Sequence, residues 1–188
     1  MNATDMNRID FLKTCAGGLC ACALVGVPAT ATESAPAAAP TPEDWRLPFI
    51  RRRYAKLLES MQDRVGEGTL NDILQGQGRY CASTADMIAK HKGDIDGFID
   101  AITREWKQEI TYDRERGIIT ASGPEAKACF CPLIDGATPK SACDCSLGWT
   151  AYAYETVLGK KVDVELKESV LRGGKRCAFL IRIRPAVG

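Results

Sequence analysis

Two Cys-x-Cys pairs, Cys129-Phe130-Cys131 and Cys143-Asp144-Cys145, stand fourteen residues apart, member for member. That spacing constrains the fold more than any other feature, because the sulfurs can meet only if the intervening loop turns back on itself. Pro132 and Gly136 supply residues suited to such a turn. A disulfide inside either Cys-x-Cys pair is geometrically poor, since one intervening residue leaves little freedom to set the Cβ atoms. Bridges between the pairs are feasible, each stabilising by about 3 kcal/mol in a loop-entropy account. Alternatively, four thiolates can converge on one tetrahedral zinc or on iron, including an iron–sulfur cluster. Cys177, inward-facing on the last predicted strand, is a further candidate ligand. The metal set read from the sequence is therefore Cys129, Cys131, Cys143, Cys145 and Cys177. Cys145 also falls at a predicted helix start, where the positive dipole end favours thiolate. Cys81, on an earlier helix, reads as a small buried hydrophobe. Metal, staples and catalytic thiols all remain open.

Which compartment the thiols meet depends on the N-terminus. Residues 1–31 read as an export signal: "NRIDFLK", a small-residue apolar stretch too short to span a bilayer, then Ala29-Thr30-Ala31 as a cleavage site. "NRIDFLK" resembles the twin-arginine signal, with Ile9 where the second arginine belongs. Leu19-Cys20-Ala21-Cys22 is a loose lipobox, so membrane attachment is expected only if Cys22 is lipidated. The expected location is periplasmic or otherwise extracytoplasmic. Cleavage after Ala31 removes Cys15, Cys20 and Cys22 and leaves six of the nine cysteines, an even number suited to an oxidising compartment. Residues 32–44, rich in Ala and Pro, form a tether that cannot bury a core.

Residues 45–188 read as one domain. Ile50, Tyr54, Leu57, Leu58, Met61 and Val65 recur at helical steps. "GEGTLNDILQGQG" reads as a short helix or turn held between glycines, and Tyr80–Lys90 as a second helix. Asp94 caps a third, with Ile95, Phe98, Ile99, Ile102 and Trp106 along one stripe. "EITYDRERGIITAS" predicts a hairpin turning at Gly117. After the cysteine loop, residues 129–146, Ser146 is placed to cap a helix running to Leu158, with Gly159 as its stop. "KVDVELKES" and "RCAFLIRIR" alternate as paired strands around "RGGK". The expected class is α+β: N-terminal helices packed with a C-terminal antiparallel sheet and a helix.

Several chemistries are excluded. The net charge of +1 gives no field for nucleic acid, and Arg51–Arg53 reads as a solvated helix face. With a single histidine, His91 in a polar turn, His-based zinc motifs are impossible and no nucleophile is placed beside it. No phosphate-cradling glycine motif occurs.

"CDCSLGWTAYAYETVLGKKVDVELKESVLRGGKRCAFLIRI" resembles the ending of the 4-vinyl reductase superfamily: a cysteine, a Gly-containing helix, an "LG-x-x-V-x-V" strand, a glycine turn and "C-x-F-x-I". Here those are Cys143 or Cys145, Gly148, Leu158-Gly159, Val162, Val164, Gly173-Gly174, Cys177, Phe179 and Ile181. Within it the chain looks most like the L-2-amino-thiazoline-4-carboxylic acid hydrolase-like small proteins. The resemblance spans residues 105–184 and implies a 4-vinyl reductase-like fold binding a small-molecule ligand. In phenol-sensing members a structural zinc is held by three cysteines and a glutamate. By offset, Cys143 falls on the first cysteine, whereas Ser169 stands at the middle cysteine and Leu166 at the glutamate. The hydrolase likeness implies water adding to the C=N carbon of a cyclic amidine, a C–N hydrolysis that needs an acid/base group. Glu155 and Asp135 are the candidate bases, and Trp149, Tyr152 and Tyr154 the candidate pocket lining. Three functions thus follow: an exported metal–thiolate protein with a ligand pocket, a thiazoline-type hydrolase, or a disulfide-stapled interaction domain.

Overall fold

In the computed structural model, residues 45–185 are described. The expected signal, tether and lipobox cysteine lie outside them. Five helices and four strands follow the order α1 (Arg46–Gln62), α2 (Glu67–Ser83), α3 (Asp86–Lys90), α4 (Ile95–Trp106), β1 (Glu109–Asp113), β2 (Ile118–Ser122), α5 (Asp144–Leu158), β3 (Val162–Glu168) and β4 (Ala178–Ile183). The class is α+β, as the change of hydrophobic period requires. No helix among the described residues is long and apolar enough to cross a membrane.

The strands form one antiparallel sheet in the order β1-β2-β4-β3, so the last strand lies between β2 and β3. Gly117 turns the first hairpin at φ +64° and Gly159 ends α5 at φ +64°, conformations glycine adopts without strain. Asp94 caps α4, its carboxylate accepting from the Gly97 amide at 2.9 Å. Ile119 and Ile181 are the sheet's fully buried residues and pack with Phe98 and Ile102 of α4 and with Ala151, Ala153, Tyr154 and Val157 of α5. A smaller core joins Leu58 of α1, Leu70 and Leu74 of α2 and Ala142 before α5. Tyr54, Ile134 and Leu171 pack against its edge, so this core lies beside the cysteine loop.

Two sequence expectations are corrected here. The glycines of "GEGTLNDILQGQG" do not break a helix: α2 runs unbroken through Gly76 and Gly78 to Ser83. The reason lies in the crossing with α5. A Cβ on Gly78 would fall 1.8 Å from the Cys145 carbonyl oxygen, and one on Gly148 would fall 2.0 Å from that of Gln75. Two glycines thus let the two backbones touch, which no other residue permits. Secondly, Ser146 is no cap. A 3-10 turn, Lys140–Cys143, precedes α5, and the Ser146 hydroxyl donates back to the Cys143 carbonyl at 2.6 Å.

Candidate thiol site

The β3–β4 hairpin sets the first cluster. Its last paired residues are Glu168 and Ala178, so Ser169 and Cys177 are the next residues beyond the ladder on each strand. Ser169 is buried, and its Oγ lies 2.9 Å from Sγ of Cys143 at the start of α5. The loop after β2 is laid against the same turn: Gly123 N–H donates to the Cys177 carbonyl and Ala126 N–H to that of Lys175, both at 2.9 Å. Cys129 follows three residues later. Burial pushes its thiol above the ordinary range, and the Cys177 and Cys143 sulfurs push it further, against a hydrogen bond from the Leu171 backbone. Cys143 is raised by burial too, with the Ser169 hydrogen bond and the Arg172 charge acting in the opposite sense.

The second cluster lies toward the helices. Cys145 is pushed up to about 11, by burial first and then by its neighbours Cys131 and Cys81. This reverses the expectation from the helix dipole: α5 begins only one residue earlier, and desolvation at the α2 crossing outweighs half a charge of dipole. The structure also corrects the reading of Cys81. It is exposed rather than buried, one turn beyond Gly78 on the face of α2 that meets α5. Tyr54 of α1 closes the group, its hydroxyl raised by burial, then by Cys145 and Cys131. Arg51, one turn before Tyr54, donates from Nε to the Pro132 carbonyl at 2.6 Å and ties Cys131's neighbour to α1.

Of the five cysteines offered as one ligand set, Cys129 feels Cys177, Cys143 and Cys131, and Cys143 feels Cys177, whereas Cys145 feels Cys131 and Cys81. Sequence reasoning missed Cys81 and the role of Ser169. The signal was the shared three-residue step in Gly78–Cys81 and Cys145–Gly148, which marks two helix faces in close contact. All six described cysteines are free. Among the described residues no three His, Cys, Asp or Glu side chains are arranged to hold a metal ion. The donor chemistry is that of a thiophilic ion, but the spacing is not that of a closed cage.

The other candidates are placed elsewhere. Glu155, its side chain 14% exposed, accepts from Arg79 at 2.8 Å and Lys161 at 3.4 Å. Burial opposes its ionisation, yet the Arg79 hydrogen bond and charge, with Lys161, hold its carboxyl below the usual range. Asp135 caps its own turn, accepting from the Ala137 amide at 3.0 Å and from the Thr138 hydroxyl at 3.3 Å. Trp149 packs against Trp106 with the rings tilted and their centres 5.5 Å apart, and Tyr152 packs at the edge of the main core. Tyr154 is deeply buried, edge-on to Phe98 at 5.7 Å, and its hydroxyl has no hydrogen-bond partner.

A cleft of about 670 Å³ opens beside the start of α5. Lys140 and Arg172 line it from one side of the charge balance, Glu67 and Asp144 from the other, with Gln62 and Ser141 between. Arg172 and Asp144 are paired at 3.0 Å, and Gln62 donates to the Ser141 hydroxyl at 3.0 Å.

No family model matches the chain, and no curated protein does. Among solved structures it is similar to a trafficking protein particle complex subunit 3 from Naegleria fowleri covalently bound to palmitic acid, at 15% identity and TM-score 0.49, over 76% of this chain and 97% of that one. It is also similar to the phenol-responsive sensory domain of the transcription activator PoxR with phenol, at 14% identity and TM-score 0.45, over 71% of this chain and 74% of that one. A vinyl-4-reductase family protein from Methanocaldococcus jannaschii matches at 14% identity and TM-score 0.36, over 79% of this chain and 85% of that one. That last protein belongs to the family which the C-terminal motifs resemble. These are likenesses of arrangement at low identity, and the ligands named are those of the solved proteins.

Proposed function

We propose that this chain is an exported small-molecule-binding domain whose cysteine loop holds a zinc or iron ion through thiolates, built on Cys129, Cys143 and Cys177. The observation that supports it is the Cys143–Ser169 contact of 2.9 Å beside the β3–β4 turn, with the Cys129, Cys143 and Cys177 sulfurs acting on one another there. Two of them, Cys129 and Cys143, are held back from ionising by burial and by neighbouring sulfur. A bound cation would relieve that repulsion and favour thiolate at each position. Among the described residues the sulfurs are not preformed into a cage, so metal binding would have to draw the loop inward, coupling binding to folding of residues 129–146. The ligand is placed in the cleft between Lys140, Arg172, Glu67 and Asp144. Its mixed-sign lining suits a small polar molecule carrying both charges better than an apolar one.

The test is metal analysis of the full chain purified without chelator or reductant, with thiols counted after denaturation in chelator. The expected result is one zinc or iron per chain, lost in Cys143→Ala and in Cys177→Ala and retained in Cys81→Ser. Metal-free protein, or metal content indifferent to both alanine variants, would rule the site out. For the cleft, Lys140→Ala is expected to abolish the thermal shift given by a small amino acid-like carboxylate. Equal shifts in both proteins, or none in the native one, would count against it.

A further inference from the structure

Most of the exposed large apolar side chains among the described residues belong to α1 and its N-cap: Trp45, Leu47, Phe49, Ile50 and Leu57. The inward side of this helix is fixed by Leu58, buried with Leu70, Leu74 and Ala142, and by buried Ala55. Arg51 also turns toward the domain, where it donates to the Pro132 carbonyl. The outward side is made of rows at helical steps. Trp45, Phe49 and Arg53 form the middle row: the two rings meet edge to face at 5.6 Å, and the Arg53 guanidinium lies 4.9 Å over Phe49. Arg46, Ile50 and Leu57 flank it on one side, Arg52 and Lys56 on the other, and all eight residues are exposed. The helix holds five cations and one carboxylate, whereas the whole chain carries a net charge of only +1. That carboxylate, Glu59, is paired with Lys56 at 2.9 Å.

We propose that the outward face of α1 docks on an anionic lipid surface. The helix lies in the plane of the interface, with Trp45, Phe49, Ile50 and Leu57 entering between headgroups and Arg46, Arg52, Arg53 and Lys56 reaching the phosphates. Apolar side chains interleaved with cations suit such an interface, because each long cation buries its stem along the apolar layer and keeps its charge at headgroup level. A tryptophan with one apolar side and one N–H donor is at home at the same depth. A second copy of this face is the poorer partner, since it would set cations against cations. The contact requires neither a metal nor lipidation of Cys22, and it uses no residue of the thiol site.

The test mixes the full chain with vesicles of equal parts phosphatidylcholine and phosphatidylglycerol, and with vesicles of phosphatidylcholine alone. Binding is read by co-sedimentation and by tryptophan fluorescence. Residues 1–44 contain no tryptophan, and Trp106 and Trp149 pack against each other, so a blue shift that disappears in Trp45→Phe reports α1. The expected result is binding to the mixed vesicles with that shift, weakening as salt rises. Joint Arg52→Gln and Arg53→Gln should weaken it about 25-fold, at about fivefold per cation. Phe49→Ser should weaken it about tenfold. Joint Arg114→Gln and Arg116→Gln, on the β1–β2 turn, removes the same charge elsewhere and should bind as the native chain does. Should Phe49→Ser fail to fold, the Arg52 and Arg53 variant still decides, since it leaves buried Ala55 and Leu58 untouched. The proposal is overturned if phosphatidylcholine vesicles bind equally well, or if the Arg52 and Arg53 variant binds like the native chain. Binding without the Trp45 shift would assign the contact to residues 1–44 and overturn it too. Unbound vesicles overturn it in either remaining case: a dimer broken by Phe49→Ser would make the occupant a second copy, and binding of polyglutamate would make it an acidic polypeptide.

Discussion

Replacing Gly78 by alanine sets two effects against each other. In an exposed helix interior, Gly→Ala stabilises by about 1 kcal/mol through backbone entropy. At Gly78 the new methyl would lie 1.8 Å from the Cys145 carbonyl oxygen and 2.8 Å from the Trp149 amide nitrogen. Unstrained contacts with carbon begin near 3.5 Å, so α2 and α5 would have to part by roughly 1.5 Å. Both obstacles are backbone atoms of a buried helix and cannot swing aside. Overpacking of this kind costs about 1–3 kcal/mol, and the upper end applies here, giving a net loss of about 2 kcal/mol. Gly76, two residues earlier on the same helix, meets nothing within 4 Å. Gly76→Ala should therefore show the propensity gain alone, about 1 kcal/mol. Urea titration of both variants beside the native chain reads the two signs, and Tm should fall by about 4–8 °C in one and rise by about 2–4 °C in the other. Equal stability of Gly78→Ala and the native chain, or a loss in Gly76→Ala matching that in Gly78→Ala, would refute the close-contact reading of the crossing.

Tyr154→Phe removes a buried hydroxyl that has no partner; it should leave stability unchanged or raise it by about 1 kcal/mol, and a clear loss in thermal melting would mean the hydroxyl is satisfied. Glu155, held below its ordinary value of 4.5 by Arg79 and Lys161, contributes stability that is present above that pH and lost as pH falls through the lower folded value. Arg79→Met should accordingly be less stable than the native chain at neutral pH, with the Tm gap narrowing below pH 4.5; a constant gap would disprove the linkage. Cys145, raised from 9.0 to about 11, should label with iodoacetamide about a hundredfold more slowly than in the unfolded chain at pH 8, and equal rates would contradict its burial.

The sequence by itself determined the elements wherever a local signal was strong. Strict alternation gave the β3–β4 hairpin, the apolar stripe and Asp94 gave α4, and Gly159 gave the end of α5. It also determined that thiols, and not histidines or a nucleotide loop, are the chemistry available. It misjudged α2, because a glycine in a sequence looks alike whether it breaks a helix or admits another. Only the tertiary structure decided between those, through the oxygen of Cys145 lying where a Cβ on Gly78 would be. The same contact decided where the Cys145 backbone lies. Fourteen-residue spacing says that two pairs can meet, but not which way each sulfur turns, since that depends on elements far away in the chain. The hairpin turn sets Ser169 against Cys143, α2 sets the Cys145 backbone, and α1 holds the Pro132 carbonyl beside Cys131. Burial and charge at each sulfur follow from those packed surfaces, which is why thiol character was set by the fold and not by the motif.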